Sequence, residues 1–272
     1  MRKSAYNASL SSGYTDMRLQ TRTPFKQPHS SRSAWSGALV CLLFLLTAQP
    51  GIAQPIAPTP YEARYEARAM GMRTSAWRTL ALSNDVYQLD HGLAVSVLGA
   101  NLITVNERTE FRWHEQQAMP LQYHYKQSGV RRRDERVTFD WSQQSATMNR
   151  DGREQTQILE AGFQDNLSFS AQMSADLLNK PEMRTPDTIL SYQILDARRL
   201  EIQDYKVIGE ERISTPAGEL NTIKLERIRD SDSGRSTVIW LSAQHQYILA
   251  KLLQIESSGS EMALTLEGVT WP

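Results

Sequence analysis

From Tyr61 onward the chain alternates. Tyr61, Ala63, Tyr65, Ala67 and Ala69 take turns with Glu62, Arg64, Glu66 and Arg68. A period of two means a strand with one buried and one wet face. Wound as a helix, the same stretch would stack Glu62 over Glu66 and Arg64 over Arg68, two like-charge pairs that disfavour it. Short apolar or alternating runs follow at 77–82, 86–89 and 93–98. They are broken by Ser83-Asn84-Asp85, Asp90-His91-Gly92 and Gly99, all turn chemistry. Over 102–113, Val105, Glu107, Thr109, Phe111 and Trp113 share one phase, and Asn106, Arg108, Glu110 and Arg112 share the other. Runs at 121–125, 137–141, 147–150 and 157–159 come next, with Asp151-Gly152 as a hairpin turn. The pattern resumes at 189–195, 200–213, 220–228, 237–241, 248–255 and 262–271.

One segment breaks the rhythm. In 164–178, Leu167, Ala171, Ser174 and Leu178 recur at helical spacing, Asp165 can serve as N-cap, and Lys180-Pro181 closes the end. Many short strands and one helix predict an all-β fold. The architecture expected is an antiparallel, highly curved sheet or open β-barrel with one α-helix, forming a single domain over 61–272.

The N-terminal part reads differently. Residues 34–53 are mostly apolar, with a core at 38–48 and small residues, Gly51 and Ala53, at the end. This is the layout of a secretory signal peptide. The run stops at Gln49-Pro50-Gly51, short of the ~20 apolar residues a spanning helix needs. Residues 1–53 are therefore expected to be a cleavable signal peptide with a long leader, cut after Ala53. A Pro-rich linker, 54–60, follows. Arg18, Arg22, Lys26 and Arg32 supply the basic flank without an Arg-Arg pair, which favours the general secretory route. From Met17 the flank has no acid, so the start at Met17 stands beside that at Met1. Cys41 lies inside the apolar core after Leu39-Val40, the wrong place for lipidation. The expected location is the periplasm, with membrane contact only through the signal peptide.

Composition then narrows the function. Cys41 is the only cysteine, so the mature chain has neither disulfide nor thiol chemistry. Residues 1–53 hold six of the thirty Lys and Arg but one of the thirty acids, which leaves 24 basic and 29 acidic residues, a net charge of −5. That argues against a nucleic-acid partner. Arg131-Arg132-Arg133 is followed at once by Asp134 and Glu135 and reads as a solvated hairpin end.

Candidate chemistry is sparse. Folding about Pro216-Ala217-Gly218 sets Lys224 opposite Glu210 or Glu211. Glu211 is then half of a surface ion pair or, if it turns inward, part of a pocket. His114 and His124 are equidistant from Met119 and would face each other if the chain turned there, with Glu115 nearby; no third metal ligand accompanies them. There is no Gly-x-Ser-x-Gly elbow and no phosphate-binding glycine loop. Ser233 sits in a turn, His91 reads as an exposed turn residue, and Glu107 and Glu110 fall on opposite strand faces. No catalytic, cofactor or metal residues are assigned. The strand aromatics are core residues or, in part, the walls of a cavity; the lining candidates are Tyr61, Tyr65, Trp77, Trp113 and Trp240, with Glu211 and the 164–178 helix as a lid.

Several phrases resemble an exported bacterial family, the domain of unknown function 3108. They are Tyr61-Glu62-Ala63-Arg64-Tyr65, Asp165-Asn166-Leu167-Ser168, Ile239-Trp240-Leu241 and Glu211-Arg212-Ile213-Ser214-Thr215-Pro216-Ala217-Gly218. The resemblance spans about 61–266. It implies an exported β-rich protein with no established activity, similar in layout to curved-sheet carriers of lipids or lipoproteins. The function expected is thus a non-enzymatic envelope protein that holds a lipid, lipoprotein or exported protein in a curved sheet. The alternatives are an interaction scaffold with a filled core and, further off, a hydrolase of envelope polymers. Intact-mass measurement of the chain expressed from Met1 is expected to show a product beginning at Gln54; a product that retains residues 34–53 would overturn the signal-peptide reading.

Overall fold

The alternation of YEARYEARA becomes strand β1, Tyr61–Ala69, whose five odd-numbered side chains are all buried. The computed structural model describes residues 55–69, 71–97, 100–130 and 132–272, so the expected signal peptide and Arg131 lie outside the described residues. Strands β2 (Met72–Ser83), β3 (Val86–Val97), β4 (Ala100–His114), β5 (Gln117–Gly129), β6 (Arg133–Asp140), β7 (Ser145–Arg150) and β8 (Arg153–Ile158) follow as a meander. After the two-residue β9 (Phe163–Gln164) comes helix α1, Ser168–Asn179. A second meander comprises β10 (Ile189–Leu195), β11 (Leu200–Thr215), β12 (Gly218–Arg227), β13 (Ser236–Ser242), β14 (Ile248–Ile255) and β15 (Glu261–Thr270).

All fifteen strands form one sheet, in the order β8 through β1, then β15 through β9. The first and last strands meet in the middle, antiparallel, from Glu62↔Thr270 to Ala69↔Met262. The sheet is not closed, since the outer strands β8 and β9 are not paired with each other. Only residues 159–162 separate them in sequence. Five residue steps reach at most about 18 Å, so the chain itself holds the two edges near each other. The expected all-β, highly curved sheet with one helix is what the chain adopts.

Two-residue turns with both φ positive, the twist-matched hairpin type, occur at Asn84-Asp85, Glu115-Gln116 and Asp151-Gly152. The middle one carries no turn-signal residue, and it moves the β4–β5 hairpin away from the Met119 centre. His114 opposes Gln117 and His124 opposes Arg108, so the two histidines do not face each other. Pro120 instead sits within β5 where the register with β4 slips, the place a sheet tolerates proline.

A second expected break is absent. β3 runs straight through Asp90-His91-Gly92. Glycine is needed there for close approach rather than for a turn: a Cβ on Gly92 would come within 2.4 Å of the Trp77 indole lying over it.

Helix α1 begins four residues after the expected start. Asp165 still caps it, from outside: its Oδ1 accepts the N–H groups of Leu167 and Ser168, both at 2.8 Å, and its Oδ2 accepts Thr109 Oγ1 at 2.6 Å. The helix is a fixed internal strut, not a lid. Gln172 Oε1 accepts the Ala118 N–H (2.7 Å), Tyr192 donates to Asp176 (3.2 Å), and Ser174 donates to the Tyr247 carbonyl (2.8 Å). It is thereby tied to β5, to β10 and to the turn before β14. A lid needs a wet face and few bonds; α1 buries Ala171, Gln172, Met173, Ala175, Asp176 and Leu177.

The tip of the β11–β12 hairpin has its own task. β14 pairs with β15 only from Lys251↔Thr265 onward, although β14 starts at Ile248. Beside that gap the Ala217 N–H donates to the Leu266 carbonyl at 3.2 Å, so the Thr-Pro-Ala-Gly turn supplies a bond that β14 does not.

Because Asp165 is fully buried and its partners have no solvent to turn to, Asp165→Ala is expected to lower stability by about 2–3 kcal/mol. Denaturant unfolding checks this; a loss under 0.5 kcal/mol, the scale of an ordinary surface substitution, would remove Asp165 from its role.

Candidate functional site

The inner face of the sheet is apolar for most of its area, but one row across it is not. Register places Arg78 (β2), His91 (β3), Glu107 (β4), Tyr125 (β5), Glu135 (β6) and Arg150 (β7) side by side. The next row is Leu80, Leu89, Thr109, Tyr123, Val137 and Met148, mostly hydrocarbon. A polar rung built on strands thus lies within the curled sheet.

The β6–β7 end of this rung is internally satisfied. Buried Glu135 receives Arg133 at 2.8 Å, Arg150 at 3.2 Å and Arg198 at 3.4 Å, and the Arg133 guanidinium stacks 4.9 Å from the Tyr125 ring centre. The β2–β4 end opens on a cavity of about 300 Å³ between the sheet and α1, lined by Arg78, His91 and Glu107 on one side. Leu167, just before the helix, and Phe169 and Met173 within it line it from that side, and Ile239, Leu241, Leu249, Leu252 and Leu264 from β13–β15. That is the lower end of the size range of small-molecule sites, with the usual apolar lining and few polar groups.

Burial sets the protonation states. It pushes the Glu107 carboxyl up to about 7, against the lowering effects of the Tyr123 hydroxyl, which donates to it at 2.5 Å, and of Arg78. Burial and the Arg78 charge bring His91 down to about 4. His91 Nδ1 meets the Trp77 carbonyl at 3.1 Å, so that nitrogen is the protonated donor and the neutral ring is the stable form. Tyr61 and Tyr65 are raised by burial, with Arg78 opposing. The row holds a proton on Glu107 near neutrality, but it has no activated nucleophile beside a base. Among the described residues no three His, Cys, Asp or Glu side chains are grouped as metal ligands.

The residues expected to line a ligand site are spread over the fold. Tyr61 borders a smaller recess of about 30 Å³, together with Ile56, Pro58 and Trp271, whose ring centre is 5.7 Å from its own. Tyr65 is wholly buried in the core, its hydroxyl without a hydrogen-bond partner. Trp77 is 44% exposed on the outer face, where it covers Gly92. Trp113 is half-buried against the core. Trp240 lies on the strand face opposite Ile239 and Leu241, with Lys251 and Lys224 at 4.7 and 5.2 Å from its ring centre. Glu211 pairs with Lys224 at 2.9 Å, the surface-pair option. None of the six lines the larger cavity. His91, read as an exposed turn residue, does. The available signal was phase: Glu107 shares the strand phase of Val105, Thr109 and Phe111, a charge at a core-facing position.

An open, curled sheet, antiparallel except for the β9–β10 pair, packs on one helix and a polar-rimmed apolar cavity, which places the protein among barrel-like all-β folds. The chain belongs to the family described as protein of unknown function (DUF3108), whose model matches residues 61–266. A solved structure titled a beta-barrel-like protein of domain of unknown function DUF1849, from Brucella abortus, shares the fold. It has 11% identity and a TM-score of 0.52, over 80% of this chain and 99% of that one. A protein of YmcC-like fold from Bacteroides fragilis is 7% identical over 79% of this chain and 97% of its own, but its TM-score of 0.33 is too low to carry an argument. Comparison with curated proteins gives no match.

The two half-buried titrating groups oppose each other. Glu107 is raised in the fold, so its stabilising contribution is present below about pH 4.5 and is lost as pH rises through about 7. His91 is depressed, so its contribution is present above about pH 6.5 and is lost as pH falls through about 4. Glu107→Gln removes the first slope, worth on the order of 3 kcal/mol. The variant is expected to melt above wild type at pH 8, with a smaller gap at pH 5. On acidification its own stability should fall more steeply, because His91 is then unopposed. Thermal melts at the two pH values check this; a gap that does not depend on pH would place Glu107 in contact with bulk water.

Proposed function

We propose that this protein is a non-enzymatic factor of the bacterial cell envelope, located in the periplasm, that binds a lipid-like hydrophobic molecule inside its curved sheet. One observation carries the reading: the cavity of about 300 Å³ between α1 and strands β13–β15, walled by leucine, isoleucine, phenylalanine and methionine side chains. A scaffold that only displays its surface would fill such a space, because each unfilled methyl-sized void in a core costs about 1 kcal/mol. The apolar run at residues 34–53 supports the location, and the absence of a nucleophile–base pair in the polar rung supports a binding role over turnover.

A fluorescent fatty-acid probe is expected to bind the purified protein with a blue-shifted, saturable signal, and native mass spectra are expected to carry co-purified lipid. Met173→Trp adds bulk from the helix side and should abolish probe binding while leaving a cooperative melt. Clean native spectra together with no probe response would rule the reading out.

A further inference from the structure

The polar groups around the cavity are not evenly partnered. Arg227 pairs with Glu201 at 3.2 Å and Arg235 with Glu256 at 2.8 Å. Arg229 stands between them. Its Nη2 reaches Thr237 Oγ1 at 3.3 Å, and its Nε is buried without a hydrogen-bond partner. Arg229 is only partly buried, so its charge faces solvent that an anionic ligand could replace. Arg78, the other cavity arginine with an unpartnered Nε, differs in one respect: Glu107 shares its wall and can ionise beside it.

Position adds a second argument. Arg227 and Arg229 border both the cavity and an open groove formed with Ser233, Gly234 and Arg235, so they stand where the cavity meets solvent. From there the lining changes in strand order. Thr237, Gln254 and Met262 share one row of β13–β15; two residues further along lie Ile239, Leu252 and Leu264. One end of the cavity is cationic and polar, and the next rows are hydrocarbon.

We propose that the cavity takes a single-chain amphiphile with an anionic head, a carboxylate or phosphate ester, seated on Arg229, with its tail running along Ile239, Leu241 and Leu252. The assignment rests on the ligand-cavity reading above and specifies the head. The Arg229 guanidinium supplies the positive charge and N–H donors that an oxyanion head needs. Arg227 and Arg235 add long-range attraction, since each is already engaged with a glutamate. The tail displaces the solvent that an open hydrocarbon wall would otherwise contact.

The test compares three probes of equal chain length, dodecanoate, dodecyl phosphate and dodecanol, by calorimetric titration of the full chain and of Arg229→Gln. The expected result is that at least one anion binds tenfold or more tightly than dodecanol, and that the variant erases this preference while binding dodecanol as wild type does. Which anion wins separates the carboxylate from the phosphate ester. Equal binding of all three to wild type would overturn the head assignment and leave the cavity reading intact. Failure of all three to bind would sink the cavity reading itself. A preference that survives in Arg229→Gln would move the head away from Arg229. Should that variant not fold, the wild-type comparison decides, with inorganic phosphate as a competitor: competition by millimolar phosphate as strong as that by dodecyl phosphate would overturn the amphiphile in favour of a free anion.

Discussion

The pairing of β1 with β15 is the constraint on which the rest depends. It joins the first strand of the fold to the last, and on either side of it a meander spreads outward. Without that seam there are two separate meanders, each exposing a hydrophobic face and an unpaired edge. With it, Tyr65 and Leu266 come opposite one another at zero exposure, and the core has a centre. Glu62 and Thr270 pair across nearly the whole domain, so the seam closes a long loop whose entropic cost the burial around it must offset. Helix α1 depends on the seam as well, because it is tied both to β5 in one meander and to the turn before β14 in the other.

Within that frame, charge is handled in three ways. Glu135 is enclosed by three arginines, so its charge is met inside the protein. Glu107 has no such company and shifts its proton affinity toward neutral pH. Arg229 keeps its charge, although partial burial first and then its cationic neighbours Arg227 and Arg235 lower its proton affinity, with Tyr205 and Glu201 opposing. Satisfied polar groups specify the register of the sheet, and a one-residue slip would turn the whole rung outward. In the proposal made above, Arg229 is the group that recognises something outside the chain.

The period-two pattern made the fold legible, because a half-buried strand writes its burial into every second residue. It worked for β1, for β4 and for the Asp151-Gly152 hairpin. It failed where the same residue types serve another purpose. Asp90-His91-Gly92 has turn composition, yet the glycine is there to let an indole lie flat against a neighbouring strand. Glu115-Gln116 makes a tight turn with no residue that favours it. The cavity was less legible still. Large aromatics were the natural candidates for its lining, but they went to the core, the outer face and the small recess. Its walls are ordinary leucines and isoleucines, and its charged members, Arg78 and Arg229, each lie in runs that read as plain strand or strand end. Which inner-face residues border empty space depends on how far α1 fills the curl, a three-dimensional quantity with no one-dimensional trace. Glu107 was the exception, as a charge in a buried phase.

Among the described residues, the segment ahead of β1 is hydrogen-bonded to the end of α1 through one side chain. Asn179, at the end of α1, offers its Oδ1 to the Ile56 N–H at 2.8 Å and its Nδ2 to the Ile56 carbonyl at 2.9 Å, mimicking a strand neighbour. The same segment walls the recess beside Tyr61 and Trp271. Two exposed hydrogen bonds are worth roughly 1 kcal/mol each. Peeling this tail away therefore requires no helix to melt and no sheet to part. On this side the recess is closed by a clasp of two hydrogen bonds that can open without disturbing the sheet or the helix.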